Sequence, residues 1–462
     1  MFRSADYSVE GRYFRGSPAN RTCCGHAKIV AFDPYRRWTK RTLRRNTLLL
    51  WFSSEVLSMN DPRKVDIYSA EHKRDPFPFY AFLRSEAPVF EVGVPVLKRA
   101  WLITRYDDVV LCLQDSDRFV KNASNAGLRS PKSMPWWTPA SLRTLSENML
   151  DLDDPAHRRL RALINKAFSR ARIEQLRNRT EVLAEDLVDR MRAKSKPDLI
   201  EDFALPLPLT VISELLGLPE EARPRFRKWT NVFLGARSEF RMALSLPSIF
   251  ALMRYLRRLV ATRRRTPKDD LISALIAVEE GGDRLSENEL IAMLVLLIIA
   301  GHETTVNLIG SGMLALMENP REKERLLGDF SLLGPAVEEL LRFTAPVETA
   351  TERYAAQDID LHGSTIRRGD VIFPVIASAN RDAQKFAEPD RLDVARKPNP
   401  HLAFGDGVHF CAGSHLAKME AQIAFGCLLR RLPKLSLAKP AHELQWRAAP
   451  VVRGLKSLPV VA

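Results

Sequence analysis

The stretch from Ser286 to Glu318 restricts the fold more than any other part of this sequence. Ser286-Glu287-Asn288-Glu289 has the form of a capping box, in which the Ser hydroxyl and the Glu carboxylate each take up a backbone N–H that a helix start leaves unpaired. Leu285 and Leu290 flank it as a hydrophobic staple, and Asn319-Pro320 supplies the stop, because proline cannot continue the hydrogen-bond ladder. The spacing predicts one helix of roughly 48 Å at 1.5 Å per residue. Its middle is apolar on every side, so other elements must enclose it. The fold is expected to be arranged around this helix.

Within that apolar middle, Ala300-Gly301-His302-Glu303-Thr304-Thr305 introduces a carboxylate and two hydroxyls. Such groups must be buried with partners or line a cavity. Thr304 is placed to bond back to the Ala300 carbonyl, which loosens the helix locally and leaves room for a water or a small diatomic molecule. Taken alone, the pattern equally fits two polar groups that satisfy one another or a neighbouring helix.

A second feature lies near the C-terminal end, Phe404-Gly405-Asp406-Gly407-Val408-His409-Phe410-Cys411-Ala412-Gly413. Leu416, Met419, Ile423 and Cys427 follow at the spacing of a buried helix face, which places Cys411 in a Gly-rich loop entering a helix. Glycine lets backbone approach a flat ligand closely, and a helix N-terminus favours a thiolate. The bland reading of a free cysteine is a small buried hydrophobe. No second cysteine lies at zinc spacing and no Cys-x-x-Cys-His is present, so a metal site here rests on a single thiolate.

The loop resembles the cysteine-ligand loop of the cytochrome P450 family, Phe-Gly-x-Gly-x-His/Arg-x-Cys-x-Gly, through Phe404, Gly405, Gly407, His409, Cys411 and Gly413. Ala300, Gly301, Glu303, Thr304 and Thr305 match that family's long-helix motif. Glu339 and Arg342 match its Glu-x-x-Arg, and His157 with Arg161 its His-x-x-x-Arg. The likeness runs from roughly Pro76 to Val461, with Leu392 where Phe is frequent and permitted variants at Ala412 and Ser414. It implies a mainly α fold with a small β-rich lobe, a triangular prism with a long central helix.

The resemblance also implies haem b (iron protoporphyrin IX) ligated by Cys411, with His157, Arg161, Arg353 and His409 contacting its propionates. Phe404, Gly405, Gly413 and Ala300 would complete the cofactor site, and Glu339 with Arg342 a structural network behind the loop. Thr304 is then the hydroxyl that meets dioxygen, and Glu303 belongs to proton delivery. Leu296, Ile299, Ala300, Val347, Thr349, Ala350 and Val452 resemble the substrate wall, with Val451 beside Val452 as a further expected loop contact. The implied reaction is insertion of one oxygen atom from O2 into a small apolar substrate, by hydroxylation or epoxidation. Two alternatives are weighed: a peroxide-using or isomerising haem-thiolate enzyme, which the intact Glu303-Thr304 pair disfavours, and a non-catalytic haem sensor.

No Gly-x-Gly-x-x-Gly fingerprint follows a strand and no ferredoxin-like cysteine set is present, so electrons are expected from separate proteins. A ferredoxin with its ferredoxin reductase, drawing ultimately on NAD(P)H, is the expected pair, docking near basic residues around the Cys loop.

Composition narrows the setting. The five cysteines, at Cys23, Cys24, Cys112, Cys411 and Cys427, form no disulfide framework, which favours a reducing cytoplasm. The longest apolar run, Leu290 to Gly301, falls short of the roughly 20 residues a membrane span needs, and no span is expected. Residues 1–58 carry 11 Lys or Arg against 4 Asp or Glu, half of the net charge of +14. Met59-Asn60-Asp61-Pro62 reads as an alternative start, so 1–58 is expected to be a disordered extension or an upstream-start artefact, and 59–462 a single catalytic domain.

Along that domain, Pro76 to Phe90 reads as a helix entering a strand, and Ala100 to Thr104 as another strand. Lys121 to about Thr144 reads as a long binding or disordered loop, which the resemblance places over the haem pocket. Asp154-Pro155 opens a helix on which His157 and Arg161 share a face, a pair that by itself would be a solvated basic surface. Residues 176–265 read as helices separated by Pro and Gly signals. The cluster Arg254, Arg257, Arg258, Arg263, Arg264 and Arg265 reads as a solvated face, since no nucleic-acid-binding signature accompanies it. Ile359, Leu361, Ile366, Val371 and Ile372 read as a strand pair turned at Gly363 and Gly369.

Overall fold

A computed structural model describes Pro62 and residues 65–461, apart from position 96, parts of 130–146 and 223–238, and 279–282. The expected extension over 1–58 and most of the loop ending near Thr144 lie outside the described residues. In chain order the helices are α1 (Ala70–Arg74), α2 (Phe77–Glu86), α3 (Tyr106–Gln114), α4 (Ala156–Ala167), α5 (Arg170–Gln175), α6 (Arg177–Arg192) and α7 (Pro206–Leu215). They continue as α8 (Glu239–Arg265), α9 (Leu271–Ala277), α10 (Glu287–Glu318), α11 (Pro320–Gly328), α12 (Leu333–Thr344), α13 (Ile376–Ala379) and α14 (Ser414–Arg431).

The long helix α10 begins and ends where its sequence requires. The Ser286 hydroxyl accepts from the Glu289 N–H at 3.2 Å, and the Glu289 carboxylate accepts from the Ser286 N–H at 2.8 Å. Asn319 caps the other end. Around α10 pack α7, α12 and α14, all sharing its apolar core. Gly312 permits the closest of these approaches, because a Cβ there would stand 2.6 Å from the Phe425 ring of α14. The apolar composition of α10 therefore reflects enclosure by protein.

The strands are β1 (Val89–Val94), β2 (Lys98–Ile103), β3 (Phe119–Val120), β4 (Arg353–Ala355), β5 (Ile359–Leu361), β6 (Ser364–Ile366), β7 (Val371–Pro374), β8 (Ser436–Leu437) and β9 (Val460–Val461). Five form one sheet in the order β1-β2-β7-β4-β3, and β5 pairs only with β6. The run expected as one strand pair is therefore divided. Gly363 turns the β5-β6 hairpin, and after Gly369 the chain enters β7, which pairs parallel to β2 with Trp101 opposite Ile372. A second difference concerns α8, which continues through Pro247. Proline forfeits one backbone rung, but the buried face Ile249, Leu252, Met253, Leu256 and Val260 holds the helix by tertiary packing.

Two buried ionic networks fasten these layers. In α12, Arg342 donates to both Glu339 carboxylate oxygens at 2.7 and 2.8 Å. Glu339 also accepts from Arg396 at 3.0 Å, the Asp393 N–H at 3.0 Å and Asn399 at 3.2 Å. The second network was not expected from sequence. Glu348 accepts from Tyr80 at 2.5 Å and Lys73 at 2.8 Å, with His72 Nε2 at 3.3 Å, which ties α1 and α2 to the segment after α12. Arg453 adds bonds to the carbonyls of Lys73, Arg74 and Thr344.

Burial by itself would raise the Glu348 pKa, but attraction to Lys73 and the bonds from His72 and Lys73 outweigh it and hold the carboxyl down to about 2. A carboxyl held below its unfolded value of about 4.3 stabilises the fold fully above that value and loses the effect as pH falls toward the folded one. Acid unfolding followed by circular dichroism should therefore show a limb between about pH 5 and pH 2 that shrinks in Glu348→Gln. Glu339→Gln leaves Arg342 and Arg396 without a buried counter-charge, an expected cost of roughly 3–5 kcal/mol read from denaturant midpoints.

Candidate functional site

The site begins where α10 stops being enclosed. Residues 302, 303 and 305–316 are buried, whereas Leu296, Ile299, Ala300 and Thr304 retain accessible surface. Leu296, Ala300 and Thr304 recur every four residues and so lie on one face of the helix. That face stays accessible beside positions of the same helix that are buried. Thr304 Oγ1 donates to the Ala300 carbonyl at 2.9 Å, the back-bond expected from the sequence. Glu303 is 2% exposed and its carboxylate pairs with Arg447, while Oε2 has no hydrogen-bond partner. His302 is held apart from this pair by a 2.7 Å bond from Nδ1 to the Ile298 carbonyl, and burial lowers its basicity.

Cys411 is carried by a loop whose shape its glycines make possible. Gly405 and Gly407 have φ of +73° and +67°, which side chains with a Cβ rarely adopt. At Gly407 a Cβ would also stand 2.6 Å from the Leu113 carbonyl at the end of α3. The Phe404 carbonyl accepts the Cys411 N–H at 2.9 Å, and Phe404 and Phe410 flank the cysteine with ring centres 6.2 Å apart. The Gly413 and Ser414 N–H groups at the start of α14 donate to the sulfur. Burial is the larger influence and raises the Cys411 pKa, against those two donors and the attraction of Arg161. The thiolate therefore depends on a cation arriving at Sγ.

Four cationic or imidazole groups gather beside this loop. Arg161 of α4 donates to the Phe410 carbonyl at 2.7 Å, and the His157 and His409 rings stand 4.3 Å apart. Arg353 in β4 is 2% exposed and donates to the Phe119 carbonyl at 3.1 Å. Neither Arg161 nor Arg353 has an ion-pair partner among the described residues. His157 Nε2 and Arg353 Nε are buried without a hydrogen-bond acceptor. Burial and the charges of His157, Arg353, Lys121 and Arg161 push the His409 pKa down to about 2. Lys121 was read as the start of a loop, yet its side chain is buried against Thr351 and the Glu352 carbonyl, and burial lowers it to about 8.

Buried cations and unfilled donors on this scale require an anionic partner. The set fits the haem that the sequence resemblance implies: a sulfur able to bind a metal, beside donors for two carboxylates. The wall residues divide. Val347 and Val452 meet in a β-bridge and, with Ala350, stay accessible, whereas Thr349 is 2% exposed. Arg447, Arg396, Lys73 and Glu348 were missed because each meets its partner across more than fifty residues of chain, where local spacing carries no signal.

Comparison with known proteins shows the family. The family model described as Cytochrome P450 matches residues 251–439. Cytochrome P450 107B1 of Saccharopolyspora erythraea is 44% identical over 388 residues, which are 82% of this chain and 93% of that protein. The solved structure of PksS, the cytochrome P450 of the Bacillus subtilis 168 bacillaene polyketide synthase, superposes with a TM-score of 0.80 at 42% identity, over 86% of this chain and 99% of that one. P450BioI, solved in complex with hexadec-9Z-enoic acid ligated acyl carrier protein, gives 0.77 at 36% identity, over 85% and 100%. With the central helix, the thiol loop and these likenesses in place, the chain belongs to the cytochrome P450 family and is a monooxygenase of that family.

Proposed function

We propose that this protein inserts one oxygen atom from O2 into an apolar polyketide-type or fatty-acyl substrate held against the accessible face of α10. The observation that carries the reading is that face itself: Leu296, Ile299, Ala300 and Thr304 are accessible in the apolar middle of α10, beside a buried carboxylate at Glu303. The relatives named above support the substrate class, one from a polyketide synthase system and one solved with an acyl chain on its carrier protein.

In this reading Cys411 Sγ is the iron ligand, and its two backbone donors moderate the charge on sulfur. His157, Arg161, Arg353 and His409 hold the haem carboxylates, with Lys121 adding positive potential. Phe404, Gly405 and Gly413 shape the loop around the ligand. Haem bound there supplies a redox iron at which O2 is activated, and thiolate ligation favours O–O cleavage. The protein's contribution is proton supply and orientation. Thr304 Oγ1 already gives its proton to the Ala300 carbonyl at 2.9 Å, so its lone pairs are free to accept from water on the open side of α10. Glu303, behind it, provides a carboxylate that can pass a proton when it leaves Arg447.

Val347, Ala350 and Val452, with Leu296, Ile299 and Ala300, provide apolar walls that exclude water from a C–H bond, and Thr349 supports them from below. Electrons come from a ferredoxin and ferredoxin reductase, ultimately from NAD(P)H, in a cytoplasmic setting. The basic residues near the Cys loop supply the docking charge.

Two variants test the division of roles. Cys411→Ser is expected to abolish the thiolate-specific absorption of the reduced, carbon monoxide-bound protein, and a retained thiolate band would remove Cys411 as ligand. Thr304→Ala is expected to bind substrate with an unchanged haem-band shift while most NADPH consumption, in the presence of partner proteins, is diverted to peroxide. Coupled product formation at the parent level in that variant would remove Thr304 from proton supply.

A further inference from the structure

The arginine cluster near the end of α8 was read from sequence as a solvated face, and the folded helix gives it a shape. Phe250, Arg254, Arg257, Arg258, Ala261, Arg264 and Arg265 are all exposed, while Leu252, Met253, Leu256, Leu259, Val260 and Arg263 between them are buried. Spacings of three and four place the exposed set on one side of the helix. From Phe250 to Arg265 the stripe is about 22 Å long at 1.5 Å per residue. Arg263 is satisfied internally by Asp270, and Arg264 approaches Glu287 at 3.6 Å. Arg254, Arg257, Arg258 and Arg265 have no ion-pair partner among the described residues.

At one end of the stripe lies an open groove of about 280 Å3, lined by Phe250, Met253, Arg254, Arg257 and Arg258. Its apolar floor and guanidinium walls complement an apolar side chain flanked by carboxylates, the surface of an acidic amphipathic helix. The stripe is an unsuitable electron-entry point. Among the described residues α8 packs chiefly against α9 and α10, whereas the Cys411 loop leads into α14. An anionic membrane would use the arginines but needs more inserted apolar surface than Leu244 and Phe250, the large apolar side chains that α8 exposes among the described residues, provide. A strip about 22 Å long and one helix wide, about 10 Å, is far below the roughly 800 Å² per partner of a stable interface, so the encounter is brief and salt-sensitive.

We infer that this face of α8 docks an acidic carrier protein that presents the substrate as a thioester-linked acyl chain. The inference rests on the acyl or polyketide substrate class proposed above and adds the partner and its docking face.

The test uses the full-length haem-loaded protein and, as probe, a fluorescently labelled acyl carrier protein bearing a dodecanoyl phosphopantetheine thioester. Anisotropy titrations at low salt report docking, and the haem-band shift with free dodecanoic acid reports substrate binding separately. The triple reversal Arg254→Glu, Arg257→Glu, Arg258→Glu is expected to weaken carrier binding by about tenfold or more while free-acid binding stays within about twofold. Phe250→Ala, which keeps every charge, is expected to weaken it by a few-fold. No docking by the parent protein at low salt, or equal docking by parent and reversal, overturns the inference. Reversal-sensitive sedimentation with phosphatidylglycerol vesicles, without carrier binding, overturns it in favour of a lipid surface. A parent protein that docks the carrier but gives no haem-band shift with any free or tethered acyl chain leaves the docking face standing and overturns the substrate class.

Discussion

The Glu339 carboxylate is the anchor on which the cofactor side of this protein depends. It is fully buried and receives bonds from Arg342, Arg396, Asn399 and the Asp393 N–H, so one side chain of α12 fixes an irregular segment that has no sheet or helix ladder of its own. Arg342 extends the hold to the Asn380 and Pro389 carbonyls, and the Asn380 side chain accepts the Leu402 N–H at 2.7 Å. Two residues later the chain enters the Cys411 loop. The sulfur is thus placed by charge-assisted bonds in a low-dielectric interior, where misplacement would leave ions unpaired.

The substrate side has its own anchor in Glu348. Its carboxylate binds α1 and α2, while its backbone N–H donates to Val451 at 2.8 Å and its carbonyl accepts from Ala377 at 2.9 Å. Val347 and Ala350, flanking it, are therefore held between the N-terminal helices and the C-terminal loop that carries Val452. Two buried carboxylates, separated by less than three turns' worth of sequence, divide the labour: one positions the segment leading to the Cys411 loop, the other the stretch carrying Val347 and Ala350.

Between these anchors the protein carries an electrostatic imbalance. Arg161, Arg353, Lys121, His157 and His409 crowd beside the thiol loop, and burial lowers the proton affinity of each. The same burial raises that of Cys411. An iron ion and two carboxylates resolve both strains at once, which is why the group that fits here is a metal carried by a dianionic ring.

The sequence by itself determined the long helix, the Cys411 loop, the Glu339–Arg342 pair and the back-bond of Thr304 to Ala300. Each rests on interactions within a few residues: a capping box, glycine conformations, a three-residue helical spacing, a hydroxyl reaching the preceding turn. Local spacing also placed His157 and Arg161 on one face, but left that face indistinguishable from ordinary solvated surface. Only the tertiary structure decided that Arg447 holds Glu303, that Arg396 completes the Glu339 network, that Lys73 reaches Glu348, and that β7 joins β2 and leaves the β5-β6 hairpin. Those contacts join segments up to hundreds of residues apart, and a charged residue carries no local mark of the partner that burial will force upon it.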